Sequence, residues 1–364
     1  MARFSFLHAT LFLCAALTAR ALVLAERAPP LVPHVDATSI DISPNAAGAY
    51  PRLARLADGT LIGSYTTSAS GSKTLTLSRS TNGGQSFTAL STIATSPGDL
   101  DNAFLLQLGD GTVLAAFRNH DLDSNGNPTY YRLTVCSSSD NGASWTYLSQ
   151  IAERAATSTK NGLWEPWMRL SADGAVQVYY ASENAGNDQD ILMQMSTDGG
   201  ASWGKPVTVA GGTTTGRDGM PGCANFYGGL MCVFETTEGT NGRFVVKSVI
   251  STDDGVNWGQ RSPVYAPADT SRNAGAPQIA ATTDGTLVTS FMTDEDASVT
   301  GWPNVGAAFK IVTSAGEGGW AHKTEVSPAQ SSWPGLLGQE DGSVLGCAGH
   351  DGEGAVCHKI TFTS

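Results

Sequence analysis

The sequence predicts an all-β fold, a six-bladed β-propeller in which an N-terminal strand closes the last blade. Three observations carry this. Hairpin turns recur at near-constant spacing, a proline keeps phase with them, and a second turn motif follows most of the hairpins.

The hairpin turns are Asp58-Gly59, Asp110-Gly111, Asp173-Gly174, Gly228-Gly229, Asp284-Gly285 and Asp341-Gly342, with successive spacings of 52, 63, 55, 56 and 57 residues. D-G between two apolar runs is a strong local hairpin signal, because Gly accepts the positive φ the turn demands. Pro51, Pro166, Pro221, Pro277 and Pro334 each stand seven residues before a turn, and Ala103 fills that place in the second unit. Pro is tolerated where a strand begins, so it is expected to mark the start of the first strand of each blade.

The second motif reads Ser138-Ser-Asp140-Asn-Gly142-Ala-Ser-Trp145, and returns as residues 196–203 and 251–258. A variant runs from Ser80 to Phe87, and Gly316 to Trp320 reads as a decayed fifth copy. In this S-x-D-x-G-x-x-W pattern the Asp accepts backbone N–H groups in a tight turn while the Trp caps the blade core. These residues are fold markers. A unit of about 55 residues with four strands is one blade. The last unit supplies only three strands, so residues 38–42 are expected to add its fourth and remove an open edge.

Composition agrees. Gly numbers 42 and charged residues are only 15%, which favours short strands and tight turns. Arg3, the apolar run from Leu11 to Leu17 and small residues at Ala19 and Ala21 form a secretory signal peptide over about residues 1–25. Residues 26–364 are then expected to be one exported propeller domain, acting as a monomer. The net charge of −12 argues against nucleic acid and anionic membranes as partners, and mildly against a polyanionic substrate. Besides Cys14 there are five cysteines. Cys223 and Cys232 straddle one turn and Cys347 and Cys357 another, so each pair is expected to form a cross-strand disulfide. Cys136 is left as a buried thiol.

In a propeller the first strands line a central channel, and the residue just before each proline should face the axis. That slot reads Tyr50, Asn102, Glu165, Met220, Ala276 and Trp333, one carboxylate among neutral residues. Glu165 stands in Leu163-Trp164-Glu165-Pro166-Trp167, and a residue before Pro has a restricted backbone. A second column, at the ends of the second strands, reads Tyr65, Phe117, Tyr180, Glu235, Phe291 and Ala348. Glu235 is the lone charge there, and a buried acid costs several kcal/mol unless it has a partner or a task. Glu238 is the alternative in the same segment. Two glutamates near one mouth suit glycoside hydrolysis, one attacking or activating water and the other protonating the leaving oxygen. Trp164 and Trp333 are candidate sugar platforms. Arg52, Asp101, Asn102, Arg118, His120, Arg217, Asp218 and His350 are candidate polar groups of the mouth. His120 and His350 lack a third histidine at ligand spacing, which argues against a zinc site, and no cofactor is implied.

With these motifs the chain resembles the sialidase-like Asp-box propellers. Within that group, the export signal and the W-E-P-W and F-E-T-T segments resemble the fungal exo-α-1,5-L-arabinanases of glycoside hydrolase family 93. The resemblance implies a retaining enzyme that releases arabinobiose from the non-reducing end of linear arabinan, a neutral plant cell-wall polysaccharide. It makes Glu165 the nucleophile and Glu235 the general acid/base. Retaining pairs stand about 5–5.5 Å apart. Two alternatives remain, a sialidase and a non-catalytic sugar-binding propeller. The segment Tyr50-Pro51-Arg52-Leu53 departs from the R-I-P segment of sialidases, and dissimilar slots favour one central site over six repeated ones.

Overall fold

The computed structural model describes residues 31–43, 47–298, 302–303, 306–316 and 319–364. The signal-peptide segment lies outside the described residues, as does part of the decayed Asp box. Among the described residues the chain forms six four-stranded antiparallel sheets. Five are built from consecutive strands. In the sixth, Val32–Asp41 pairs with Gly354–Thr363 and becomes the outermost strand of the last blade. The closing strand starts six residues earlier than the sequence suggested.

The first strands are Ala49–Arg55, Asp99–Gln107, Leu163–Leu170, Gly219–Phe226, Ala274–Ala281 and Ser331–Gly338 for blades one to six. Each carries the same irregularity. Pairing with the second strand steps from Ala49 to Arg52, Asp101 to Phe104, Trp164 to Trp167, Gly219 to Gly222, Gly275 to Gln278 and Ser332 to Gly335. The partner strand advances two residues while the first strand advances three, which is a β-bulge. The prolines therefore occupy the bulge and not the first strand position, and a bulge needs no ladder donor there.

The bulge fixes the slot residues. Tyr50, Asn102, Glu165, Met220, Ala276 and Trp333 all have positive φ, between 43° and 60°. Glu165 at φ 43° is thus left-handed, not in the extended region favoured before proline. Six non-glycine residues in this conformation cost on the order of 1 kcal/mol each or more, held by the surrounding sheet.

Hydrophobic clusters fill the gaps between neighbouring blades, such as Leu75, Leu77, Leu105 and Phe117 between blades one and two. The Asp boxes cap these gaps. Gly142 and Ser144 donate backbone N–H groups to Ser138 Oγ and Asp140 Oδ1, at 2.9 and 2.8 Å. Trp145 lies against the cluster. Cys223–Cys232 and Cys347–Cys357 are disulfides between directly opposite residues, and Cys136 is a buried free thiol.

Candidate active site

The six slots converge on the axis. Tyr50, Met220 and Ala276 form one apolar cluster with Met292 and Ala307, and Trp302 and Trp333 lie against it. Trp333 stacks flat on Tyr50, with ring centroids 4.6 Å apart. The charged groups stand on the other side. The Glu165 carboxyl accepts the Met220 backbone N–H and faces Arg118, whose Nη1 is 3.8 Å from Glu165 Oε1. Glu235 Oε2 accepts the Ala276 backbone N–H at 2.7 Å.

Glu235 lies in a column different from the one read in the sequence. It pairs with Gly219, as Thr66 pairs with Ala49, Arg118 with Asp101, Ala181 with Trp164, Met292 with Gly275 and Gly349 with Ser332. The aromatic column of Tyr65, Phe117, Tyr180 and Phe291 continues in Phe234, which is fully buried. The cause is one residue. Blade four turns through two residues, Tyr227-Gly228, between Phe226 and Gly229, whereas blade one turns through three, 57–59, between Leu56 and Thr60. Counting from the glycine turn is therefore out by one in this blade alone. The side-chain alternation of a strand makes that one step the difference between the blade core and the channel.

Both carboxyls titrate far above the ordinary range, chiefly because burial disfavours their charged form. Glu165 is raised to about 8, with Arg118 and Arg217 opposing and Glu235 adding to the rise. Glu235 is raised to about 7, opposed by the Ala276 N–H and by Arg217. The repulsion belongs to the pair, since whichever group ionises second feels it. Near neutrality the pair holds a proton, a state that offers one acid and one base. Gly275 makes room for this arrangement: a Cβ there would lie 2.5 Å from Glu235 Oε2 and 3.2 Å from the Trp302 ring.

The other candidates separate into groups. Asp101 and Arg118 join the mouth with Asp99 and Lys73, two residues the sequence reading missed. Asn102 is buried and neither of its amide atoms makes a well-formed hydrogen bond, although Tyr50 adjoins it. Trp164 lies under Arg118, 5.3 Å from the guanidinium, and against His120. His120 is fully buried, bonded through Nε2 to the Leu163 carbonyl, and burial lowers its pKa to about 4, so it is neutral. Arg217 pairs with Glu183 at 2.8 Å and acts on both glutamates through its charge. Arg52 is buried and donates to the carbonyls of Pro51 and Trp333. Asp218 is buried and closed on Arg261, and His350 bonds Ser331 at 2.9 Å. Glu238 pairs with Lys247 and Arg261, which lower its pKa. Trp302 and Phe244, 6.5 Å apart on the Glu235 side, were also missed, since no repeat or motif marks them. Among the described residues no cluster of three or more His, Cys, Asp or Glu is arranged to hold a metal.

No protein-family model matches the sequence, and no curated protein matches it. Solved structures do. The chain is similar to a Penicillium chrysogenum α-L-arabinanase complexed with arabinobiose, at 19% identity and TM-score 0.67, over 92% of this chain and 98% of that one. It is also similar to the family 93 α-L-arabinofuranosidase of Fusarium graminearum with arabinobiose, at 18% identity and TM-score 0.67, over 92% and 97%. A Hadza microbial sialidase is more distant, at 15% identity and TM-score 0.55, over 86% of this chain and 65% of that one. At these identities the likeness establishes the fold.

Proposed function

We propose that this protein is a secreted, monomeric, retaining exo-glycosidase that hydrolyses α-1,5-linked L-arabinan and releases arabinobiose from the non-reducing end. The observation that carries this reading is the pair of half-buried carboxyls, from adjacent blades, at a channel mouth whose other slots are neutral. The similar folds that hold arabinobiose supply the substrate class.

Glu165 acts as the nucleophile. The Arg118 charge and the Met220 N–H favour its ionised form, whereas Glu235 has the Ala276 N–H, and Arg217 acts on both. The higher value for Glu165 arises from burial and from the repulsion shared with Glu235, so it does not reverse this assignment. In the first step the Glu165 carboxylate attacks the anomeric carbon while Glu235 gives its proton to the leaving oxygen. Glu235 then takes a proton from water, which displaces Glu165 and restores both groups.

A neutral substrate fits the arginines. Arg52 is spent on backbone carbonyls, Arg118 on two aspartates and Arg217 on Glu183. The one nitrogen that Arg118 keeps free faces Glu165, so these three arginines form no open cluster for a substrate carboxylate, which speaks against the sialidase reading. The test is incubation with linear arabinan, sialyl-lactose and other neutral glycans, followed by product sizing. A disaccharide from arabinan is expected. Release of sialic acid with arabinan untouched would overturn the proposal.

A further inference from the structure

Arg118 is held on one edge only. Its Nε lies 3.0 Å from Asp99 Oδ2 and its Nη2 lies 3.4 Å from Asp101 Oδ2. Lys73, reaching over from blade one, bridges the same acids at 2.7 and 3.3 Å. Asp101 is fixed in turn by the Thr66 hydroxyl at 2.6 Å and the Asn102 N–H at 3.0 Å. The Trp164 ring supports the guanidinium. The remaining nitrogen, Nη1, points to Glu165 but stops at 3.8 Å, too far for a hydrogen bond.

We infer that Asp99, with Asp101 and Lys73, holds the Arg118 guanidinium back from Glu165, so that its charge reaches that carboxylate while its hydrogen bonds do not. The distinction matters to a nucleophile. A carboxylate locked in a bidentate arginine fork has its lone pairs engaged, and the same carboxylate beside a restrained cation keeps them free. Asp99 is on this view a positioning residue. The inference rests on the proposed role of Glu165 for its effect on turnover, but not for its effect on titration.

The charges explain the sign of the expected effects. Two aspartates offset Arg118 and Lys73, so removing an acid or a base from this group changes the net charge that faces Glu165. Five side chains act on Glu165: Arg118 from blade two, Glu235 from blade four, Arg217 from the loop before it, and Tyr50 and Arg52 from blade one. His120 faces Asp99 and is neutral. Removing one aspartate charge frees Arg118 to pair with Glu165, and removing Lys73 leaves the acids less compensated.

The experiment is a carboxyl-carbon NMR titration of the intact protein with labelled glutamate, Glu165 being assigned by its loss in Glu165→Gln. In Asp99→Asn the Glu165 midpoint should fall by about 1–3 pH units. In Lys73→Met, at a half-exposed site, it should rise. On arabinan, Asp99→Asn should move the acid limb of kcat the same way and lower the plateau roughly 10-fold with KM little changed. Midpoints that stay fixed in both variants, or move together, would overturn the inference. Opposite shifts in a protein that leaves arabinan intact would support it while removing the functional reading.

Discussion

The two halves of the channel mouth have one backbone and two chemistries. Blades five, six and one present Ala276, Trp333 and Tyr50 in the slots, with Met292, Gly349 and Thr66 beside them. Blades two, three and four present Asn102, Glu165 and Met220, with Arg118, Ala181 and Glu235. All six slots share the bulge and the left-handed φ. The conformation is therefore a property of the fold, and the charge is added by side chains on one side. The apolar half packs as one cluster around Tyr50, Met220 and Ala276.

The largest expected effect tests that division. Glu165→Ala should lower kcat on arabinan by about 10⁴-fold or more, and Glu235→Ala by about 10²–10⁴-fold, with circular dichroism unchanged. Met292→Thr, in the column of Glu235 on the apolar side, should cost at most about 10²-fold. Added azide should partly restore Glu235→Ala on a substrate with an activated leaving group, since azide attacks the glycosyl-enzyme without base help. Full activity in either alanine variant would remove that residue from the mechanism and bring Glu238 forward.

Next comes geometry without charge. Gly275→Ala places a methyl 2.5 Å from Glu235 Oε2, so the carboxyl must move. Turnover should fall by about 10²-fold while thermal stability changes little by comparison. An undiminished rate would show that the carboxyl tolerates displacement.

The pH dependence sharpens the comparison further. With one group raised to about 8 and the other to about 7, the singly protonated pair is most populated between these values. The kcat/KM profile should be a bell centred near pH 7–8, falling below as both protonate and above as both ionise. A profile that plateaus from pH 5 would contradict the burial that sets these values.

The charged half should also weaken the fold. A carboxyl whose folded value lies above its unfolded value near 4.5 holds more protons when folded, so stability falls as pH rises from about 4.5 to 8. Glu165→Gln should therefore raise Tm at pH 8, by an amount worth a few kcal/mol, and leave it nearly unchanged at pH 4.5. The smallest effect belongs far from the mouth. Asp140→Ala loses the bonds to Ser138 and Ser144 and should lower the denaturant midpoint slightly, with kcat unchanged.

The sequence alone determined what neighbours along the chain encode. Turn glycines, the in-phase prolines, the Asp boxes and both disulfides involve residues within about a dozen positions of one another, so blade number was legible, and ring closure followed from the last unit supplying only three strands. The slot column was legible for the same reason, since each slot residue adjoins its proline or its Ala103 counterpart. Glu235 was found in the wrong column because one missing turn residue shifts every later side chain to the opposite face, and no local feature announces the loss. Only the tertiary structure decided which polar residues serve the mouth. Arg52 is consumed by Trp333, 281 residues away, and Asp218 by Arg261. Asp99 and Lys73 gained their place through contacts between blades. Such partners are chosen where six separate sheets meet around an axis, and that meeting depends on the closed ring, not on spacing along the chain.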